Sequence, residues 1–413
     1  MLESSTDRSH QGLRIAMVAP QPFFRPRGTP FSVLHRIRAL TTLGHKVDLV
    51  TYPFGEDVAM PGLRILRSRS VPFVRDVKIG PSLSKLLLDL PLMMLTWKIL
   101  RTGGYDVVHS HEEAAFFCAP MARRLGMVHV YDMHSSLPQQ LKNFGKFDFA
   151  IVRRGFESLE QHVLKTSDGV ITICRDLADV ALPYCTEKPH AMIENTGDDA
   201  MVFDAGQEPE VAGTDLANRR IVLYTGTFES YQGIDLLLDA FALVAANVGD
   251  AHLLMVGGRP HQVEASRMRA RALGIESRIT FTGQVHPSAI PGYVRAAQLI
   301  VSPRSSGTNT PLKIYGYLRS GKPIVATDLY THTQTLTPAV AELVAPTPQG
   351  LAAGIQRVLQ DPHHARALAD AARRLSDEEY SEGAYMRKMT EFYARIIGRL
   401  RAGKSPAETP QAA

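Results

Sequence analysis

The chain has 413 residues, 45% of them hydrophobic and 21% charged, which excludes a disordered, collagenous or coiled-coil polymer and exceeds what one ordinary core of ~100–200 residues holds. Lys and Arg total 46 against 41 Asp and Glu, a formal charge of +5; the basic residues are scattered, so no nucleic-acid partner is expected. Three cysteines, Cys118, Cys174 and Cys185, are odd in number and lack paired ligand spacing, which speaks against a disulfide framework or a zinc site and fits a reducing cytoplasm.

Residues 1–12 are polar and mixed in charge without an apolar run, and read as a disordered tail rather than a secretory signal. Strand-length apolar runs follow at Arg14–Ala19, Lys46–Thr51, Val107–His109, Val128–Asp132 and Gly169–Ile173. Between them, helical periodicity predicts helices over Ser32–Leu43, Ala114–Leu125 and Phe156–Thr166. The longest apolar stretch, Leu83 to Leu100, is interrupted by Lys85, Asp89, Pro91 and Lys98, so it is no membrane span. Two readings remain for it. Its leucines pack on the sheet, or its apolar face meets a membrane surface with Arg75, Lys78 and Lys85 near anionic headgroups.

After Asn195 the sequence turns polar and loses periodicity, and a second strand series begins at Ile221–Thr225, continuing with His252–Val256, Ile279–Thr282, Leu299–Val301 and Pro323–Ala326. Alternating strands and helices imply an α/β fold of two Rossmann-like, doubly wound domains. Their expected bounds are 13–200 and 218–376, joined by a linker over 201–217 with its hinge near 196–217. A helix over 377–401, starting near Glu378, and a disordered Ala/Pro-rich tail over 402–413 complete the chain.

Both domains open with an apolar strand, a glycine-containing loop and a helix. The segments GTFESYQGIDLLLDAFALV, LLMVGG and ITFTGQVHPSAIPGYVRAAQLIVSPRSSGTNTPLKIYGYLRSGKPIVATD resemble the GT-B glycosyltransferases of the retaining family 4 type. The likeness runs over about residues 12–400 and is strongest from Ile221 to Asp328. It implies two Rossmann-like domains facing across a cleft, with a UDP- or GDP-sugar donor in the second and a glycan or lipid-linked acceptor in the first. The last helix would cross back to the first domain. It also implies no metal and no cofactor beyond the nucleotide-sugar substrate, while the cysteine content points to the cytoplasm and the Leu83–Leu100 stretch leaves peripheral attachment at its membrane face open.

Within that resemblance, a leaving diphosphate needs amide donors and cations. Gly28 and Thr29, before the helix from Ser32, suit the first domain's share. In the second, Thr308, Asn309 and Thr310 in the loop Ser305–Thr310, ahead of a helix beginning near Pro311, are the expected diphosphate contacts. The family's two glutamates eight positions apart fall on Thr308 and Gly316, and its loop arginine and lysine fall on Thr227 and Gln232. Lys313 and Arg304 are therefore the expected replacement cations, and Tyr315 or Tyr317 the replacement ribose contact. Gly226, Gly257, Gly258 and Val285 are the expected nucleoside neighbours. His134 lies just beyond a strand's carboxyl end and matches the family histidine that contacts sugar or acceptor; His109 and His111 also follow a strand end, with Glu112 and Glu113 beside them. Two rival readings are a catalytically silent GT-B partner protein and a dinucleotide oxidoreductase. The second is disfavoured because neither glycine loop reads GxGxxG.

Overall fold

A computed structural model describes residues 12–24, 28–72, 74, 83–139, 150–195, 216 and 218–403. The chain divides into two compact units, one from the N-terminal residues through Glu194 plus Met386 onward, the other Asn195–Tyr385. Each has its own parallel sheet.

In the first unit the strands are β1 (Arg14–Ala19), β2 (Lys46–Thr51), β3 (Leu63–Arg67), β4 (Val107–His111), β5 (Val128–Met133), β6 (Gly169–Thr172) and β7 (His190–Met192), in the order β3-β2-β1-β4-β5-β6-β7. This is the doubly wound order, in which the chain reverses direction across the sheet between β1 and β4, and ligands sit outside the carboxyl ends of the strands. The central strands are near-continuous apolar runs because helices cover both faces: Ile15 through Ala19 are all fully buried. The first helix starts at Gly28, four residues before Ser32, so Gly28 and Thr29 form its first turn instead of a preceding loop.

Helix Leu83–Thr102 separates the two readings of the leucine-rich stretch. Leu88, Leu92 and Leu100 are buried in the core beside Val18, Val50 and Tyr52, whereas Leu86, Leu87, Leu90 and Met94 are exposed. Leu87 and Leu90 therefore do not pack on the sheet. Lys85 is turned to the carboxyl end of β4, where its ammonium lies 2.9 Å from Glu113, and it is not offered to headgroups. Arg75 and Lys78 lie outside the described residues, as does most of the expected linker. No helix among the described residues is long and apolar enough to cross a membrane.

The second unit carries β8 (Arg220–Thr225), β9 (Ala251–Val256), β10 (Ile279–Gly283), β11 (Leu299–Ser302), β12 (Ile324–Thr327) and β13 (Glu342–Val344), ordered β10-β9-β8-β11-β12-β13. The expected single C-terminal helix is two, Pro362–Glu379 and Glu382–Gly403, separated at Tyr380 and Ser381. The chain rejoins the first unit within the second of them. There Phe392 and Ile396 are buried against β6 at Gly169, where a Cβ would come 2.7 Å from Ile396 Cδ1 and 2.9 Å from the Phe392 ring. Gly169→Ala should overpack that contact and cost ~1–3 kcal/mol. Denaturant unfolding of the single variant and of Gly169→Ala with Ile396→Val checks this: the shortened side chain should restore part of the loss.

Candidate active site

In the first unit the carboxyl ends of β4 and β5 bring four polar side chains onto one face. Successive residues of a strand alternate sides, so His109 and His111 share a face of β4, while Asp132 and His134 share a face at the end of β5. The parallel register sets His111 beside Asp132. All four are buried. Asp132 accepts from Arg36 Nε at 2.7 Å, and Arg36 also donates to the Ile193 carbonyl at 2.8 Å. His109 Nε2 lies 3.1 Å from the same carboxylate oxygen, and its Nδ1 lies 2.6 Å from the Tyr393 hydroxyl on the last helix. His134 Nε2 is 3.2 Å from the other carboxylate oxygen and 3.0 Å from His111 Nδ1.

Burial works to raise the Asp132 carboxyl, but Arg36, with His134 and His109, holds it well below the usual carboxylate range. Burial pushes His109 and, further, His111 down, so both rings are neutral. His109, His111 and Asp132 each place one ligand atom within 4.8 Å of the others, a spacing a metal accepts. The Arg36 guanidinium already occupies one oxygen of Asp132 there, however.

Beside it, Glu112 follows β4 in a left-handed conformation with φ 49°, a strained backbone of the kind that gathers at functional sites. Its carboxylate accepts the Thr29 hydroxyl at 3.2 Å, which ties the first helical turn to the strand end. Burial, reinforced by Glu112 and Asp89 and opposed by Lys85, lifts the Glu113 carboxyl to about 7.

In the second unit the carboxyl end of β8 carries the second constellation. Lys313 opens a helix, Lys313–Arg319, that starts two residues later than Pro311 suggests and is too short at seven residues for its dipole to matter. Its ammonium reaches back across the sheet end to the Thr225 carbonyl at 3.2 Å and the Gln232 side-chain oxygen at 3.4 Å. It lies 4.3 Å from the Tyr224 ring centroid. A Cβ at Gly226 would come within 3.6 Å of it, so the expected Gly226 and Lys313 share one spot. Arg304 packs on the Tyr231 ring at 5.1 Å and donates to the Asn309 carbonyl at 2.8 Å and to Thr331 at 2.7 Å. The loop to Thr310 thus wraps the guanidinium, and Gln334 fastens it further through the Thr308 carbonyl.

Among the described residues no carboxylate pairs with Lys313 or Arg304. Burial, with Arg304 adding, lowers the Lys313 ammonium to about 7, and burial lowers Arg304 as well.

Other expected contacts are placed differently. The Thr310 hydroxyl turns inward to Thr335. Tyr315 is buried with its ring 5.0 Å from Tyr380, and the Tyr317 hydroxyl is spent on Thr225 at 2.6 Å, so neither ring turns outward from the helix toward a ribose. Val285 packs at the edge of the core. Gly257 has φ 122° and a virtual Cβ only 2.0 Å from the Gly226 carbonyl, and at Gly258 a Cβ would strike the Phe228 ring; both glycines let the loops after β8 and β9 close on each other. Sequence reasoning missed Asp132, Arg36 and Tyr393. The two-residue step from Asp132 to His134 carried a signal for the first. Nothing local marked the other two.

Comparison with known proteins agrees with these two halves. A family model described as Glycosyltransferase Family 4 matches residues 26–195, and one described as Glycosyl transferases group 1 matches residues 219–361. A phosphatidyl-myo-inositol mannosyltransferase of Mycobacterium leprae is 25% identical over 77% of this chain and 79% of its own. An alpha-D-kanosaminyltransferase of Streptomyces kanamyceticus is 24% identical over 70% of this chain and 77% of its own. Sucrose-phosphate synthase from Thermosynechococcus elongatus superposes with a TM-score of 0.71 at 20% identity, covering 94% of this chain and all of that one. With a sugar-transferase model on each half and two doubly wound sheets beneath them, the chain belongs to the GT-B glycosyltransferases of the family 4 type.

Proposed function

We propose that the enzyme moves a hexose from a nucleoside-diphosphate sugar to a lipid-linked or glycan acceptor with retention of anomeric configuration and without a metal. The observation that carries the donor class is the pair of cations at the carboxyl end of the β8 sheet, Lys313 and Arg304, with no carboxylate to match them. Buried charge is normally paired, and a diphosphate supplies the missing counter-charge. Lys313 stands in for the lysine absent at Gln232, since its ammonium already touches that side chain. Arg304, Thr308 and Asn309 shape the adjoining loop, and Gly226, Gly257 and Gly258, which let the loops after β8 and β9 close on each other, are the proposed nucleoside neighbours.

In the transfer, the bond between the anomeric carbon and the diphosphate oxygen breaks and the acceptor oxygen bonds to that carbon on the same face. Its proton passes to the departing phosphate. His134 holds the sugar or acceptor, and Gly28 and Thr29 add amide and hydroxyl donors from the first helical turn. A transfer and hydrolysis screen across UDP- and GDP-sugars tests the proposal. Release of one nucleoside diphosphate is expected, and a folded protein inert toward all of them would favour the silent partner instead.

The mannosyltransferase relatives named for phosphatidyl-myo-inositol support a lipid acceptor, and the outward Leu86, Leu87, Leu90 and Met94 give the first unit an apolar face to rest on a membrane surface. At about 25 cal/mol per Å² of apolar area, that stripe supports reversible docking rather than insertion. Leu90→Glu with Met94→Glu should abolish sedimentation with anionic liposomes while thermal stability holds, because both side chains are solvent-exposed. Leu88→Glu, in the core, should unfold the protein. A native protein that never sediments would reject the docking.

A further inference from the structure

Asp132 accepts hydrogen bonds from Arg36 and His109 at one carboxylate oxygen, and His134 Nε2 lies 3.2 Å from the other while meeting His111 Nδ1 at 3.0 Å. An ionised carboxylate accepts and never donates, so His109 Nε2 carries a proton, and a proton on His134 Nε2 is favoured because two lone pairs would otherwise face each other across 3.2 Å. His109, neutral, then accepts the Tyr393 proton at Nδ1. One carboxylate therefore faces two imidazoles and a guanidinium, and its own position is fixed from two sides. Arg36 anchors it to the first helix and to the Ile193 carbonyl, and the Tyr393–His109 arm anchors it to the last helix. All of this lies within the first unit.

We propose that Asp132, braced by Arg36 and by the Tyr393–His109 arm, is a positioning residue that locks His134 as its Nε2–H tautomer with that edge of the ring turned inward. In that neutral form the lone pair of the ring lies at His134 Nδ1, on the opposite edge, as a hydrogen-bond acceptor. Outer partners that fix the tautomer of metal-ligating histidines are worth 10- to 100-fold in affinity or activity, and an effect of that order is expected here. The C-terminal helix thereby has a chemical task besides packing: its Tyr393 hydroxyl fixes the ring that fixes the carboxylate. The link to transfer rests on the proposed role of His134; the tautomer itself does not.

The test is nitrogen-15 NMR of histidine-labelled full-length protein, His134 being assigned by its loss in His134→Gln, alongside kcat and KM. Native protein at pH 8 should show the neutral His134 ring as a single Nε2–H tautomer. In Asp132→Asn, Arg36 draws the amide oxygen and leaves the amide N–H groups facing His134. The ring should then flip to the Nδ1–H form, with kcat falling at least about tenfold and KM changing little. Should that variant not fold, Tyr393→Phe, which removes one hydroxyl, reads the same arm: the native tautomer should become a mixture and kcat should fall about threefold or more. A native His134 that already samples both tautomers, or an unchanged spectrum in the folded variants, overturns the proposal. A locked tautomer combined with full activity in His134→Gln leaves the positioning intact and removes His134 from the reaction instead.

Discussion

Lys313→Met should bind a nucleoside diphosphate at least about tenfold more weakly than the native protein and yet melt at a higher temperature. The first effect follows from losing a charge-assisted contact, ~1.5–3 kcal/mol. Binding of the free nucleoside should barely change. The second follows from what the ammonium does when no ligand is present: it sits beside Tyr224 with only a carbonyl and an amide oxygen for partners, and burial lowers it from 10.5 to about 7. An unfolded chain takes up that proton as pH falls below about 10, whereas the folded chain does so only near 7. The group therefore destabilises the fold increasingly from pH 10 down to 7, and fully below 7. The variant's gain, on the order of 1 kcal/mol or ~2–4 °C, should be largest at or below neutral pH and fade toward pH 10.

The same proton governs affinity. Diphosphate binding favours the ammonium, so native affinity should decline as pH rises above 7, and Lys313→Met should lose that dependence. Calorimetric titration and thermal melts at pH 6.5 and 9 read both effects. A variant that is less stable at every pH, with unchanged affinity, would make Lys313 a structural residue.

A large loss of stability is also expected from Arg36→Met. Arg36 and Asp132 are both almost fully buried, 2.7 Å apart. Removing one partner of such a pair leaves a buried charge uncompensated and costs ~3–5 kcal/mol. In the native protein the Asp132 carboxyl is depressed, so its contribution is complete above the ordinary carboxylate value of 3.8 and is lost only as pH falls through the lower folded value. In the variant nothing offsets burial, the carboxyl rises, and protonation relieves the penalty. The gap between native and variant should therefore narrow in acid. Arg36→Met combined with Asp132→Leu should recover much of the loss at neutral pH, since an apolar pair of similar volume leaves no charge behind. Denaturant titrations of the three proteins at pH 7 and pH 4.5 give the comparison.

How far such residues can be read from sequence depends on whether their partners are local. The central strands β1, β2, β4, β5 and β6, and β8 through β12, are apolar runs, and the sequence marks each to within two residues. The three strands it missed, Leu63–Arg67, His190–Met192 and Glu342–Val344, all lie at sheet edges. With one neighbour instead of two they are short or carry charge, as LRILR does, and leave no apolar run to detect. The first helix begins early because Gly28, Thr29 and Pro30 resemble a loop in composition while Pro30 is well suited to a first turn.

The same distinction applies at the site. His134 stood out through its place at a strand end, and Lys313 through the cations missing at Thr227 and Gln232. Arg36 and Tyr393 converge on Asp132 from 96 and 261 residues away in the chain, and only the folded sheet brings them together. Tyr315 and Thr310 had suitable chemistry in the sequence, but helical phase buries the Tyr315 ring against Tyr380, and the loop ahead of the helix turns the Thr310 hydroxyl to Thr335.

The claim that Lys313 and Arg304 form the donor's diphosphate site is tested most directly by calorimetric titration of the native protein at pH 6.5. UDP and GDP would be compared with uridine and guanosine, each repeated on Lys313→Met. At least one diphosphate should bind ten or more times more tightly than its nucleoside, and Lys313→Met should erase most of that difference. A diphosphate and nucleoside of equal affinity, or a preference that survives in Lys313→Met, would contradict that assignment.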